Sequence, residues 1–368
     1  MGIIRLILAI SVVISHSTAI FGFKLVAADL AVRAFYIISG FYMALILNEK
    51  YVTQPHAYRL FITNRFLRLF PIYWVILILT FLLGLICTHT NAGRLEAGAV
   101  PMFGEFFHAM DLWSFLFLIF TNVCLFFQDA VMFLGLNPST GHLFFTANFR
   151  LTSPELYQFL LVPQAWTIGV ELLFYLIAPF VVRKKARVVI GLIVISLLLR
   201  AALYRSGLNH DPWTYRFFPS EVAFFLAGCL AYALYRKLRV RQFPPLPLNI
   251  LWLAVVLASV LFSVVEFPGQ RYLYLLLVWV ALPFIFLHTK KIKWDGYIGE
   301  LSYPIYISHM FLKSVLLLLN FPPAHWLGLV LTLTTILFSM VLNSLIAKRI
   351  EKFRQRRVGI SARGNPSA

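Results

Sequence analysis

Several ionisable side chains lie within long apolar segments of this chain. An ionisable group in the hydrocarbon core costs about 2.5–3.5 kcal/mol even on lenient insertion scales, so its presence indicates a function by default. Such groups can move protons, bind a charged substrate, line a transport path or pair with one another. The set to be explained comprises Arg5, His16, Asp29, Arg33, Glu171, Glu221 and His309.

Arg5 and His16 are the first pair whose spacing predicts a shared surface. They are eleven residues apart, so on a helix they return to within roughly 20° of one another, separated by about 16 Å of rise. One helix face would carry a cation near a membrane surface and an imidazole deep in the membrane. The alternative is an arginine that extends to the lipid headgroups and a histidine that makes an interhelical hydrogen bond.

Arg65 and Arg68 form a second pair. They are three residues apart and precede an apolar run, so they share one face of a helix. Two guanidinium groups on one face can bind phosphate oxygens in a bidentate manner. The alternative is that both charges only set the membrane topology.

Membrane-spanning helices must position these residues. Of the 368 residues, 61% are apolar and 12% are charged, against about 25% charged in a soluble domain. Apolar runs long enough to cross a hydrocarbon core of about 30 Å recur along the chain. We therefore predict an all-α, polytopic transmembrane helical bundle with about ten crossings. The predicted crossings are 3–21, 26–48, 69–87, 160–182, 188–204, 217–235, 248–266, 272–288, 298–319 and 326–347.

The distribution of positive charge predicts the topology. The net charge is +18, but the Lys and Arg residues cluster between apolar runs, which favours the positive-inside rule over a nucleic-acid partner. With ten crossings, most of them lie in the cytoplasm, together with both termini. The apolar stretch 112–136 would reverse this pattern if it crossed, so we predict that it is re-entrant or interfacial, within an external region at 88–159.

The domain organisation follows from these spans. We predict a transmembrane domain at 1–347 and a basic cytoplasmic tail at 348–368. The three cysteines, Cys87, Cys124 and Cys229, have no paired spacing, so neither a disulfide framework nor a metal site is expected. Membrane lipid is an expected partner, and the sequence gives no prediction of the oligomeric state.

Five phrases occur along the chain in a specific order. They are Arg5 followed by His16 after ten intervening residues, Phe35–Phe41 (FYIISGF), Asn64–Trp74 (NRFLRLFPIYW), Trp166–Pro179 (WTIGVELLFYLIAP) and Ser302–His309 (SYPIYISH). In that order they resemble the acyltransferase-3 family of bacterial membrane-bound acyltransferases, and the resemblance covers essentially the whole chain. Two departures are visible: Arg33 stands where many members have Asp, and Asn64 replaces a basic residue.

The resemblance implies transfer of an acyl group from a thioester to an acceptor hydroxyl. Such a reaction needs a base, and His has the unperturbed pKa nearest to working pH. His16 is the predicted base. Asp29 lies at a similar depth and would hydrogen-bond its ring, and Glu171 would orient His16, balance Arg5 or Arg33, or stabilise packing. These three are the predicted catalytic residues.

The donor implied by the resemblance is cytoplasmic acyl-CoA, most plausibly acetyl-CoA, without a metal. Arg5, Arg65 and Arg68 would contact its phosphates, while its pantetheine arm extends along the first helix towards His16. Tyr73 and His309 complete the predicted donor-binding set. For His309, a buried structural role is an equal alternative.

Three functions remain open from the sequence. The first is an O-acyltransferase of the bacterial inner membrane that modifies an external glycan or glycolipid. The second is a transporter whose intramembrane charges line a substrate path, although no inverted repeat is visible. The third is a non-catalytic partner in assembly of the cell-envelope polysaccharide. Thioester cleavage by the purified protein would distinguish them.

Overall fold

The computed structural model describes residues 1–52, 54–90 and 98–359, and this part of the chain is a bundle of helices. The predicted polytopic helical fold is confirmed. A short antiparallel hairpin, β1 (Leu134–Leu136) with β2 (Leu143–Phe145), is an addition to the all-α prediction. The helices are α1 (Gly2–Ser15), α2 (Ala28–Glu49), α3 (Ala57–His89), α4 (Ala99–Phe106), α5 (Leu112–Cys124), α6 (Trp166–Val181), α7 (Ala186–Arg205), α8 (Phe218–Leu238), α9 (Pro245–Val260), α10 (Gln270–Thr289), α11 (Lys293–Leu318), α12 (Leu327–Leu342) and α13 (Lys348–Arg357).

Eight helical segments of the described chain are long and apolar enough to cross a membrane. The shorter apolar helices α1 and α9 occupy two more of the ten predicted crossings. With 14 residues, α1 is about 21 Å long, and it ends well before residue 21. Ser15 and Ser17 donate their hydroxyls to the carbonyl oxygens of Ser11 and Val13, and such bonds compete with continuation of a helix. His16 consequently stands at the end of α1.

Helix α3 is longer than its predicted crossing at 69–87. Its 33 residues extend for about 50 Å, so the helix begins three turns before the apolar run. Hydropathy falls at the arginines, but the residues there still form helix because Leu, Arg and Phe tolerate that conformation. Arg65 and Arg68 therefore lie on a continuous helix, as their spacing requires.

Helices α2 and α8 approach closely at the centre of the bundle. A Cβ atom added to Gly40 would lie 1.8 Å from the carbonyl oxygen of Phe225, and one added to Gly228 would lie 2.0 Å from that of Ile37. Small residues allow such contact between backbones, and van der Waals packing of this kind drives helix association in lipid. The arrangement fixes α2, which borders the cavity described below.

The clusters of Lys and Arg at or after the ends of α2, α6, α8, α10 and α12, which were predicted to lie in the cytoplasm, meet at one end of the bundle. We call it the basic end. Each cluster makes a polar contact with a neighbouring cluster or with the end of α2 or α8. This common location agrees with the predicted parity of the crossings. The contacts are Arg183 with the carbonyl of Leu47, Arg239 with Glu49, Lys290 with Tyr235 and Arg357 with Asn64.

The segment between α3 and α6 begins and ends at the opposite end of the bundle. Helix α3 leaves the basic end, and α6 returns to it, since Arg183 follows α6 directly. Between them, α5 descends to the middle of α3, where Asn122 and Gln128 both contact Tyr73. The chain then turns back through the β-hairpin. The course agrees with the predicted re-entrant stretch at 112–136.

Candidate functional site

Five helices surround a cavity in the bundle interior, which we call the inner chamber. Its volume is about 110 Å³. Most of its polar lining comes from phrases that the sequence analysis singled out. The polar residues are Arg5 from α1, Tyr36, Ser39 and Tyr42 from α2, Arg65 and Arg68 from α3, Thr167, Glu171 and Tyr175 from α6, and Ser302, Tyr303 and Tyr306 from α11.

A larger cavity of about 460 Å³, which we call the vestibule, adjoins the inner chamber at the basic end. Arg5, Arg65 and Arg68 line both cavities. The cations of the vestibule outnumber its acids, so its field attracts anions. Its further charged residues are Lys50, Lys290, Lys293 and Arg354, with the acids Asp295, Glu300 and Glu351.

The structure brings together the three arginines that were predicted to bind the donor. In the described part of the chain, none of Arg5, Arg65 and Arg68 forms an ion pair with an acid. Arg65 is 4% exposed, its guanidinium lies 5.8 Å from the ring of Phe61, and its Nε atom has no hydrogen-bond partner. A buried guanidinium without an acid is costly. The Arg65 guanidinium is therefore suited to bind an anion that enters the cavity from outside.

Glu171 faces the inner chamber. Its Oε1 atom accepts hydrogen bonds from the hydroxyls of Ser39 and Tyr175, each at 2.5 Å. It lines this chamber with Arg5 and Arg68. Of the three predicted roles, this location favours charge balance with Arg5, because Arg33 is engaged elsewhere and the described contacts of Glu171 do not include His16.

His16 lies beside His309, near the far end of α1. The centroids of the two imidazole rings are 5.0 Å apart. Nδ1 of His16 lies 2.8 Å from the carbonyl oxygen of Val12, and Nδ1 of His309 lies 2.7 Å from that of Tyr306. Because a carbonyl oxygen only accepts, we assign the proton of each ring to Nδ1, which leaves both Nε2 atoms as acceptors.

His309 does not line the vestibule or the inner chamber, so the structure does not support its predicted place in a donor channel. It is fully buried, and its Nε2 atom has no hydrogen-bond partner. Tyr306, which does line the inner chamber, lies next to it with ring centroids 6.1 Å apart. The hydroxyl of Tyr306 bonds Thr167 and the carbonyl oxygen of Gln164. Tyr306 thus contacts both the inner chamber and the His309 ring.

The predicted hydrogen bond between Asp29 and His16 is wrong. Asp29 accepts from Arg33 at 2.8 Å and also bonds Arg271. Arg33 is one helical turn after Asp29, where an i,i+4 ion pair forms readily, and it also donates to Glu221 at 3.3 Å. Depth alone does not show the direction in which a side chain points. The pairing with two acids also accommodates Arg33 at the position where many members of the family have Asp.

Tyr73, which was predicted to help bind the donor, lines neither the inner chamber nor the vestibule. Its side chain is fully buried, and its hydroxyl bonds the carbonyl oxygen of Asn122 and the amide of Gln128. Five residues separate it from Arg68, which is about 140° around a helix. Tyr73 therefore faces the re-entrant segment while Arg68 faces the cavities.

Sequence reasoning missed the α2 residues of the site, and their spacing contains the signal. Ser39 and Tyr42 are three residues apart, on the same face as Phe35 and Tyr36, which is the helical spacing of neighbours. Ser39 lies within the phrase FYIISGF, but a hydroxyl alone does not distinguish a site from a packing contact. Its hydrogen bond to Glu171 appears only in three dimensions.

Comparison with known proteins supplies the family. Residues 1–346 match the acyltransferase domain of the acyltransferase-3 family. No curated protein and no solved structure matches the chain. The match covers nearly the whole chain, including α1 with Arg5 and His16, α3 with Arg65 and Arg68, and α6 with Glu171. This chain, a polytopic helical membrane protein with charged cavities in its interior, therefore belongs to the acyltransferase-3 family.

Proposed function

We propose that this protein is an integral membrane O-acyltransferase. It moves an acyl group, which we propose is acetyl, from cytoplasmic acyl-CoA to a hydroxyl of an extracytoplasmic glycan or glycolipid. The observation that carries the proposal is the cationic vestibule, which continues into an inner chamber lined by three arginines that form no ion pair in the described part of the chain. Family membership supplies the acyltransferase activity.

The three arginines of the cavities support the proposed binding of the donor. A nucleotide thioester carries phosphates at one end and its reactive carbonyl at the other. Arg5, Arg65 and Arg68 bind the phosphates through charge-assisted hydrogen bonds, and the thioester end points away from the basic end. About 16 Å of helix rise separates Arg5 from His16, which suits an extended arm between a phosphate site and a base.

The chemical step needs one base. The acceptor hydroxyl transfers its proton to Nε2 of His16 while its oxygen bonds to the carbonyl carbon of the thioester. The bond between that carbon and sulfur then breaks, and the departing thiolate takes the proton back from the imidazole. Tyr306 lines the inner chamber and contacts His309, whose ring lies beside that of His16, so we expect its side chain to turn when the acyl end of the donor approaches.

The distribution of positive charge supports the proposed orientation of the protein in the membrane. The basic end is assigned to the cytoplasm of a bacterial cell because Lys and Arg accumulate in cytoplasmic loops. The donor then enters the vestibule from the cytoplasm, and His16 faces an acceptor from the other side. The segment between α3 and α6, which lies at that far end, forms a roof over the acceptor path.

The test is release of free thiol from acetyl-CoA by the purified protein in detergent. We expect thiol release to depend on His16 and to accelerate when envelope glycan from the host membrane is added. A protein that binds acetyl-CoA without releasing thiol would instead fit a transporter or a non-catalytic partner in envelope assembly.

A further inference from the structure

The helix α13 forms one wall of the vestibule. Residues 348–368 were predicted to form a basic tail, and residues 360–368 lie outside the described part of the chain. Residues 348–357, however, are helical and contribute Glu351 and Arg354 to the vestibule, with Ile350 and Gln355. The described start of the tail is thus part of the cavity through which the donor is proposed to enter.

Arg354 is the most deeply buried cation on this wall. The residue is 7% exposed. One of its terminal nitrogens donates to Glu351, and its Nε atom is buried without a hydrogen-bond partner. Leaving a buried donor unsatisfied is unfavourable, because it has lost water without gaining another acceptor. The unsatisfied N–H group at a cationic cavity indicates an acceptor that is supplied by a ligand.

The cations of the two cavities form two tiers. The inner tier is Arg5, Arg65 and Arg68, which line both the inner chamber and the vestibule. The outer tier lines the vestibule and not the inner chamber, and consists of Lys50, Lys290, Lys293 and Arg354. A ligand that engages both tiers must carry negative charge at two depths.

We propose that the outer tier, through Arg354, binds a phosphate monoester on the nucleotide end of the donor, separate from the diphosphate that the inner tier binds. This inference rests on the proposed function. A phosphate monoester carries about −1.5 to −2 charges at pH 7 and three acceptor oxygens, so it satisfies the Nε atom of Arg354 and offsets positive charge in the vestibule. The outer tier thus selects a donor with a phosphorylated ribose over one without this phosphate.

Arg357 provides the matched control on the same helix. It does not line the vestibule, and its two terminal nitrogens donate to Asn64 and Thr63 on α3, each at 2.8 Å. It therefore docks α13 against α3, whereas Arg354 faces the cavity. Substituting each arginine separates loss of a ligand contact from loosening of the helix.

The experiment compares the dissociation constants of coenzyme A and 3′-dephospho-coenzyme A by titration calorimetry on the intact protein. Unmodified protein should bind coenzyme A about tenfold or more tightly than the dephospho form, as expected for a charge-assisted hydrogen bond. Arg354→Ala should lose most of this preference by weakening coenzyme A alone, and Arg354→Lys should keep part of it. Arg357→Ala should retain the preference.

Several results would overturn the inference. They are equal affinity of the unmodified protein for both ligands, equal weakening of both by Arg354→Ala, or loss of the preference in Arg357→Ala. A preference that disappears when phosphatidylglycerol is added to neutral-lipid nanodiscs would show that a lipid headgroup occupies the outer tier. Binding is measured without turnover, so failure of the proposed acyl transfer would be seen separately as absence of thiol release.

Discussion

A base at His16 has to present a free ring nitrogen to the acceptor hydroxyl. The carbonyl oxygen of Val12 holds the Nδ1 proton, which leaves Nε2 as the proton acceptor and fixes the plane of the ring. The Val12 carbonyl oxygen thus makes the hydrogen bond to the His16 ring that was predicted for Asp29. His309 presents its own unpartnered Nε2 atom in the adjacent ring, so a proton on His16 has a second imidazole close by.

Replacing His16 by alanine should remove acyl transfer without removing the protein. Loss of a general base lowers the rate by about 10²- to 10⁴-fold, whereas the described side-chain hydrogen bond of His16 is to its own helix. The check is the turnover number beside the amount of inserted protein. Turnover near that of the unmodified protein would return His16 to a structural role.

The arginines of the inner tier should act on donor affinity. We expect Arg65→Ala and Arg68→Ala each to raise the donor KM, with a smaller effect on kcat, because phosphate contacts bind the ground state and the transition state alike. Lysine at either position should restore only part of the affinity, since it lacks the planar fork.

The control for these arginine variants is the amount of inserted protein. If both residues only set topology, alanine should lower insertion, lysine should rescue it fully, and the donor KM should not change. An unchanged KM in both alanine variants would contradict the donor-binding role.

At the scale of the element, helix α3 presents its cavity-lining arginines and Tyr73 on two different faces. Arg65 and Arg68 face the cavities, and Tyr73 faces the re-entrant segment about 140° away from Arg68. The residues were all visible in one phrase of the sequence, NRFLRLFPIYW. A phrase shows which residues occur together on a helix, but the face of each follows only from counting residues around the axis.

Removing the hydroxyl of Tyr73 should destabilise the protein without affecting the donor. In Tyr73→Phe the buried amide of Gln128 and the carbonyl of Asn122 lose a partner, which costs about 1–3 kcal/mol. Thermal unfolding in detergent should show a lower midpoint, beside an unchanged donor KM. A raised KM with an unchanged midpoint would restore Tyr73 to the donor site.

The sequence predicted the helices and the shared face of Arg65 and Arg68 better than it predicted which polar side chains contact one another. Hydropathy and charge parity predicted the bundle and the re-entrant course of 112–136, and helical spacing predicted that Arg65 and Arg68 share a face. The partner of Asp29 could not be predicted, because helix rotation and side-chain direction depend on packing between helices. The contribution of Arg354 to the vestibule wall was not predicted, because a run of charged residues is typical of a solvated tail. Only the contacts of α13 with α3 show that it is packed against the bundle.

At the scale of the molecule, the topology places the basic end on one side of the membrane. Cysteine at Ser139, introduced into a variant without Cys87, Cys124 and Cys229, should react with an impermeant external reagent, because Ser139 is exposed at the end of the bundle opposite the basic end. Cysteine at Lys184 or Lys291, both exposed near the basic end, should not react. Labelling at Ser139 from the cytoplasmic side alone would make 112–136 a true crossing.

The central claim is that a donor on the basic side acylates an acceptor on the other side. Its most direct test is transfer of labelled acetyl from external acetyl-CoA in membrane vesicles of opposite orientation. Inverted vesicles, with the basic end outward, should accumulate label in luminal glycan or glycolipid that an added esterase reaches only after detergent is added, and His16→Ala vesicles should not. Right-side-out vesicles should incorporate little label. Equal labelling in both orientations, or label that the esterase removes from intact inverted vesicles, would contradict transfer across the membrane.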